Sequence, residues 1–165
     1  MSLLDGVFGG TFETGGEECA PWDPLGLASS EKLLKKYQIG ELKNGRVAML
    51  AVLGVIVQYF VQLPDPVFSQ GAKPLAAFSQ VLAERPTALL QIFLGVGILD
   101  NLIWEDSESS EPGNYGFGIF PASDEEFADL RMKEIKNARL AMIAFMGMIA
   151  QELVNGKGPI ENILG

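Results

Sequence analysis

Histidine is absent from this 165-residue chain, and cysteine occurs once, as Cys19. Without His and without a second Cys there is no intramolecular disulfide framework, no Cys/His metal site, and no Ser/His or Cys/His nucleophilic catalysis. Positive charge is also scarce: 12 Lys and Arg face 21 Asp and Glu, for a formal net charge of −9. Nucleic acid is therefore excluded as a partner, because binding it needs a basic face. The first residues, MSLLDGVFGGTFETGGEECAPWDPLGLA, lack both the basic start and the long apolar stretch of a secretory signal, and they are too acidic for a transit peptide. They are expected to be a mature or trimmed start.

What the chain does have is apolar residues, 48% of the total, gathered into three stretches with Gly, Pro and acidic residues between them. This bunching predicts an all-α membrane protein with one domain over residues 1–165 and transmembrane helices at about 41–63, 87–104 and 130–154. A helix needs roughly 20 residues to cross the hydrocarbon core, so the first and third stretches qualify only with their polar N-terminal turns included. Pro64 and Pro66 close the first, Pro86 opens the second, and the Glu111-Pro-Gly-Asn turn precedes the third. The alternative is a soluble bundle of amphipathic helices. Against it, residues 88–99 carry only Gln91 as a polar side chain, where a bundle helix would show a polar stripe. Lys32, Lys35, Lys36 and Lys43 lie before or at the start of the first stretch and Arg131, Lys133 and Lys136 at the start of the third, with only Lys73, Arg85 and Lys157 on the other side. The N-terminus is thus expected on the basic side of the membrane.

The first and third stretches are copies of each other. ELKNGRVAMLAVLGVIVQ (residues 41–58) aligns without a gap on EIKNARLAMIAFMGMIAQ (134–151), matching Glu41 with Glu134, Asn44 with Asn137, Arg46 with Arg139 and Gln58 with Gln151. Small residues match too, Gly45, Ala48, Ala51 and Gly54 against Ala138, Ala141, Ala144 and Gly147, and such a ridge lets two helix backbones approach closely. With one span between them the copies run in the same direction, so a pair crossing about a pseudo-twofold axis is expected. At about 100° per residue Arg46 points away from Glu41 on its own helix but, across a twofold, toward Glu134. Arg139 and Glu41 would complete the reciprocal set. Two ion pairs clamping a helix dimer would account for Glu and Arg, leaving Asn and Gln without a role.

Asn44 and Gln58 return to nearly the same helix face about 21 Å apart, one near each leaflet. Each offers a neutral amide oxygen. Mg²⁺ prefers hard oxygen ligands, and when held in a flat macrocycle it keeps an axial position open for one such donor. A Glu neutralised by an Arg can supply the same kind of oxygen.

E-x-K-N-x-R-x-A-M in both copies, WDPLGLA (residues 22–28) before the first and GKGPIENIL (156–164) after the second resemble the light-harvesting chlorophyll-binding antenna proteins of chloroplasts. The short central span and compact loops look more like the red-lineage chlorophyll a/c, fucoxanthin or peridinin type than the plant chlorophyll a/b type. The resemblance implies that Glu41, Asn44, Glu134, Asn137 and Gln151 are chlorophyll ligands with Arg46 and Arg139 as their charge partners. Gln58 is carried mainly by the internal repeat. Gln91 matches the ligand of the middle span, whereas Asp100 lies nearly on the opposite face from it and is either a ligand or a cap. Asp23 matches a carboxylate that helps hold a carotenoid end group, or belongs to an ordinary turn, and its counterpart in the second copy is Gly116. A short C-terminal surface helix follows GKGP in the family; there this chain has no His ligand to offer.

By the same resemblance the cofactors are chlorophyll a, chlorophyll c and xanthophyll carotenoids, with magnesium present only inside chlorophyll. The partners are thylakoid lipids, neighbouring antenna proteins and a photosystem core, photosystem I being favoured, and the N-terminus faces the chloroplast stroma. The expected function is harvesting light and passing excitation to a photosystem, with no enzymatic step; a photoprotective, quenching member of the family is the alternative. A small transporter or proton relay would also use intramembrane Glu and Arg. It would show helices broken at the midplane, whereas these charges stand at the helix starts with unbroken apolar turns after them.

Overall fold

The computed structural model describes residues 25–26, 30–62, 64–68, 73–102 and 124–164. Their regular structure is entirely helical: α1 (Glu31–Phe60), a 3-10 turn (Pro66–Phe68), α2 (Pro74–Glu84), α3 (Pro86–Leu102), α4 (Asp124–Asn155) and α5 (Pro159–Leu164). The all-α class is the one read from the sequence. Both long helices start earlier than the apolar stretches do. Ser30 caps α1, its Oγ accepting the Leu33 N–H at 3.3 Å, and Leu34 and Leu42 share a buried stripe that carries the helix through its lysine-rich opening.

Helix ends follow local chemistry. Pro86 stands at the first position of α3, as its fixed φ favours, and Arg85 alone separates α3 from α2, with a bend of 106° between them. At the far end of α4, Gly156 takes φ +65 and returns its N–H to the Glu152 carbonyl at 2.8 Å, a left-handed stop that a side chain would oppose. The short helix α5 then forms over the PIENIL segment, with Glu161 Oε2 accepting the Gly158 N–H at 2.9 Å. Helix α2 and the 3-10 turn were not expected from the sequence.

The chain divides into two units, residues 1–47 with 106–140 and residues 48–105 with 141–165, and α1 and α4 contribute to both. Buried in the first are Leu34, Leu42, Gly45, Arg131, Ile135 and Ala138. In the second Ala48, Val55, Val67, Ala141 and Glu152 are buried. Leu42 and Ile135, Gly45 and Ala138, and Ala48 and Ala141 are equivalent positions of the repeat, so the two copies bury the same stripe.

Among the described residues no single helix is long and apolar enough to cross a membrane, and α2 with α3 passes only as a bent pair. The apolar core of α1 begins after Arg46, and α3 has 17 residues.

The turn after α1 is tied by Asp65. Its Oδ1 accepts the Val67 N–H at 3.1 Å and its Oδ2 accepts from Arg85 Nη2 at 2.7 Å. The Val67 N–H does most to lower the Asp65 carboxyl, desolvation opposes it, and the Arg85 guanidinium adds to the lowering, so the group lies below its ordinary value of 3.8. Because the folded value is depressed, the stabilisation it provides is present above pH 3.8 and lost as pH falls through the folded value. An NMR titration of Asp65 should find its midpoint below 3.8, and Arg85→Leu should move that midpoint upward. An unchanged midpoint in Arg85→Leu would remove the guanidinium from the causes.

Candidate functional site

Within the first unit the two copies meet through a reciprocal set of contacts. Arg46 Nε donates to Glu134 Oε1 at 2.7 Å, and Arg139 Nε donates to Glu41 Oε1 at 2.6 Å. Each Arg therefore pairs with the Glu of the other copy, as the helical angle between positions five apart requires. Between the pairs, a Cβ placed on Gly45 would run into Ala138 Cβ and lie 3.2 Å from Ala138 Cα. Gly45 and Ala138 are equivalent positions of the repeat. A residue that touches its own equivalent sits on the axis relating the copies, so the helices cross here.

The amides lie away from this seam. Asn44 and Asn137 are both exposed. Asn137 Nδ2 donates to the Lys133 carbonyl at 2.9 Å, one turn back on its own helix, which leaves Oδ1 as the acceptor it presents to the surroundings. An exposed apolar side chain stands one turn on from each, Val47 after Asn44 and Leu140 after Asn137. An outward, neutral amide oxygen of this kind could serve as a ligand for the magnesium of a largely apolar macrocycle.

In the second unit Gln58 and Gln151 are half-buried and Gln91 is exposed. Gln58 Nε2 is buried with no hydrogen-bond partner among the described residues. Gln91 has Leu90, Leu94 and Ile98 exposed beside it, and Asp100, at the end of α3, is half-buried. No group of His, Cys, Asp and Glu able to hold a metal ion occurs among the described residues. Asp23 and Gly116 lie outside the described residues.

Sequence reasoning missed one polar residue of consequence. Glu152 is buried and its carboxylate takes up the Leu75 and Ala76 N–H groups at the start of α2. The signal was available: from Ala141 through Met148 to Glu152 the steps of seven and four keep one helix face, so a carboxylate was due on the inward stripe.

Fold and site thus define a helical protein built on a duplicated, ion-paired helix with oxygen donors on its outer faces. Residues 4–153 match the family described as chlorophyll A-B binding protein, and the chain belongs to it. It is 40% identical over 153 residues to the fucoxanthin-chlorophyll a-c binding protein of Chattonella marina var. antiqua, covering 87% of this chain and 69% of that one. Fucoxanthin-chlorophyll a-c binding protein E of Macrocystis pyrifera is 32% identical over 159 residues, covering 87% of this chain and 74% of the relative. The plant-type chlorophyll a-b binding protein 4 of Arabidopsis thaliana is 33% identical over 165 residues, covering 87% of this chain and 63% of the relative.

Proposed function

We propose that this chain is a light-harvesting antenna that holds chlorophyll a, chlorophyll c and carotenoid in the thylakoid membrane of a chloroplast and passes excitation to a photosystem, with photosystem I favoured. The observation that carries the reading is the reciprocal pairing of Arg46 with Glu134 and Arg139 with Glu41. It neutralises four charges at the starts of two apolar stretches and engages one oxygen of each carboxylate, leaving Oε2 for a magnesium ion. Relatives named for fucoxanthin and chlorophylls a and c support the pigment classes.

Chlorophyll held here would supply light absorption and transfer of the excitation to a neighbouring pigment. The residues do the positioning. Glu41, Asn44, Glu134, Asn137, Gln151, Gln91 and Gln58 would supply oxygen ligands to chlorophyll magnesium, and Arg46 and Arg139 would compensate the charge of the two Glu donors. Asp23 is assigned to a carotenoid end group. No bond is made or broken by the protein.

The whole chain acts as one domain of three spans. With their charges paired, the polar openings of α1 and α4 enter the membrane at a cost far below that of unpaired charge. None of residues 86–101 of α3 is buried, and lipid and pigment suit such an apolar helix better than water does. The basic side, with the N-terminus, faces the stroma by the distribution of Lys and Arg.

One absorption spectrum of the purified, folded protein, followed by pigment extraction, tests the reading directly. A colourless folded preparation would overturn it. Individual ligands are tested by Asn137→Leu and Gln151→Leu, each expected to lose a different chlorophyll while the fold survives. Fourteen residues of helix, about 21 Å, separate them, so the losses should add in the double variant. A double variant that loses no more pigment than either single one contradicts two independent sites.

A further inference from the structure

Helix α2 begins with an unusual division of labour. Pro74 has no N–H to satisfy, Lys73 before it makes no side-chain cap, and the Ala77 N–H is taken by the Lys73 carbonyl at 2.9 Å. The two donors between them go to one residue far along the chain: Leu75 N–H to Glu152 Oε2 at 2.9 Å and Ala76 N–H to Glu152 Oε1 at 3.1 Å. Both oxygens of a buried carboxylate are thus engaged by consecutive amides at the positive end of a helix. Helix α2 buries none of its own residues, so apolar packing alone does little to fix it. Glu152 lies outside the duplicated set as well, since its equivalent in the first copy is Tyr59.

What α2 carries is α3. Only Arg85 separates them, and the Ala88 N–H returns to the Arg85 carbonyl at 3.1 Å, which stiffens the elbow. Gln91 lies little more than a turn into α3, and Gln151 is the neighbour of Glu152 on α4. We infer that Glu152 is a positioning residue: its carboxylate anchors the α2–α3 elbow to α4 and thereby sets the separation of the pigment held at Gln91 from the pigment held at Gln151. The inference rests on the reading of Gln91 and Gln151 as ligands. Excitation transfer and exciton coupling depend steeply on that separation, so the anchor acts on function without touching a pigment.

The test uses the full chain assembled with chlorophyll and carotenoid, comparing Glu152→Gln, Glu152→Leu, Gln91→Leu and the Glu152→Gln/Gln91→Leu double variant. Glu152→Gln keeps size and one acceptor oxygen, so it preserves the fold if Glu152→Leu does not. Amide exchange at Leu75 and Ala76 should quicken about tenfold or more. Pigment stoichiometry should stay at the wild-type value, while circular dichroism in the long-wavelength chlorophyll band changes. That spectral change should vanish in the Gln91→Leu background, where one of the two coupled pigments is gone. Unchanged exchange overturns the anchor. Faster exchange with unaltered dichroism reduces Glu152 to a helix cap and overturns its positioning role. If Gln91→Leu by itself retains every pigment, the ligand reading fails, an outcome visible without any change at Glu152.

Discussion

Gly45→Val should abolish assembly of the pigment–protein complex, and Gly45→Ala should lower its yield sharply. Any Cβ at Gly45 collides with Ala138 Cβ and presses on Ala138 Cα, so relief requires the two backbones to part. Overpacking a well-fitted contact commonly costs about 1–3 kcal/mol, and a backbone that cannot turn aside puts this site at the upper end. Helix propensity acts in the opposite direction, since Ala is favoured over Gly by about 1 kcal/mol, so a loss in Gly45→Ala cannot come from the helix itself. The swap Gly45→Ala/Ala138→Gly isolates the contact. Its propensity changes cancel, and if the two residues sit on the axis relating the copies the exchange should restore most of the yield. Gly40→Ala, whose Cβ meets nothing within 4 Å, is the matching control and should assemble normally. Equal damage from Gly40→Ala and Gly45→Ala, or a swap no better than Gly45→Ala, would remove the crossing point from Gly45.

Much of this arrangement was legible because the sequence states it twice. The gapless repeat fixed which residues are equivalent, and 3.6-residue periodicity then placed Glu, Arg and the small ridge on their faces. The Arg46–Glu134 and Arg139–Glu41 pairs follow from those two facts. Helices α1 and α4 begin before the apolar stretches, because the apolar stretch defines where a helix can meet lipid, whereas for α1 Ser30 and the Leu34–Leu42 stripe define where the helix begins. Helix α2 was hidden for a different reason. It has no equivalent in the repeat, it buries nothing, and the partner of its first turn stands 77 residues away at Glu152. A contact between segments so distant leaves no local pattern, and only the inward spacing of a lone carboxylate hints at it. The amides are intermediate: their faces follow from the helical period, but the Asn137 bond to the Lys133 carbonyl, which orients its oxygen, depends on a side-chain rotamer that no periodicity specifies.

Arg46→Leu should impair assembly broadly, reducing all pigments together instead of removing one. The substitution leaves Glu134 charged and without its partner at the start of an apolar stretch, where an unpaired charge is costly. Its side chain and that of Arg46 are 27% and 33% exposed. The penalty therefore lies between the ~1 kcal/mol of an exposed pair and the ~3 kcal/mol at which fully buried pairs begin. Even the middle of that range lowers the assembly equilibrium constant roughly thirtyfold, because about 1.4 kcal/mol is tenfold. Adding Glu134→Gln removes the stranded charge and keeps an amide oxygen, so part of the yield should return, including the pigment assigned to Glu134. Glu41→Gln added to Arg46→Leu should make matters worse, since it breaks the Arg139–Glu41 ion pair as well. By contrast Asn137→Leu, which breaks no ion pair, should cost a single pigment. The deciding measurement is pigment–protein yield and stoichiometry across Arg46→Leu, Glu134→Gln, Glu41→Gln and the two double variants. Better rescue by Glu41→Gln than by Glu134→Gln would mean that the pairs form within each helix, and the reciprocal clamp between the copies would have to be abandoned.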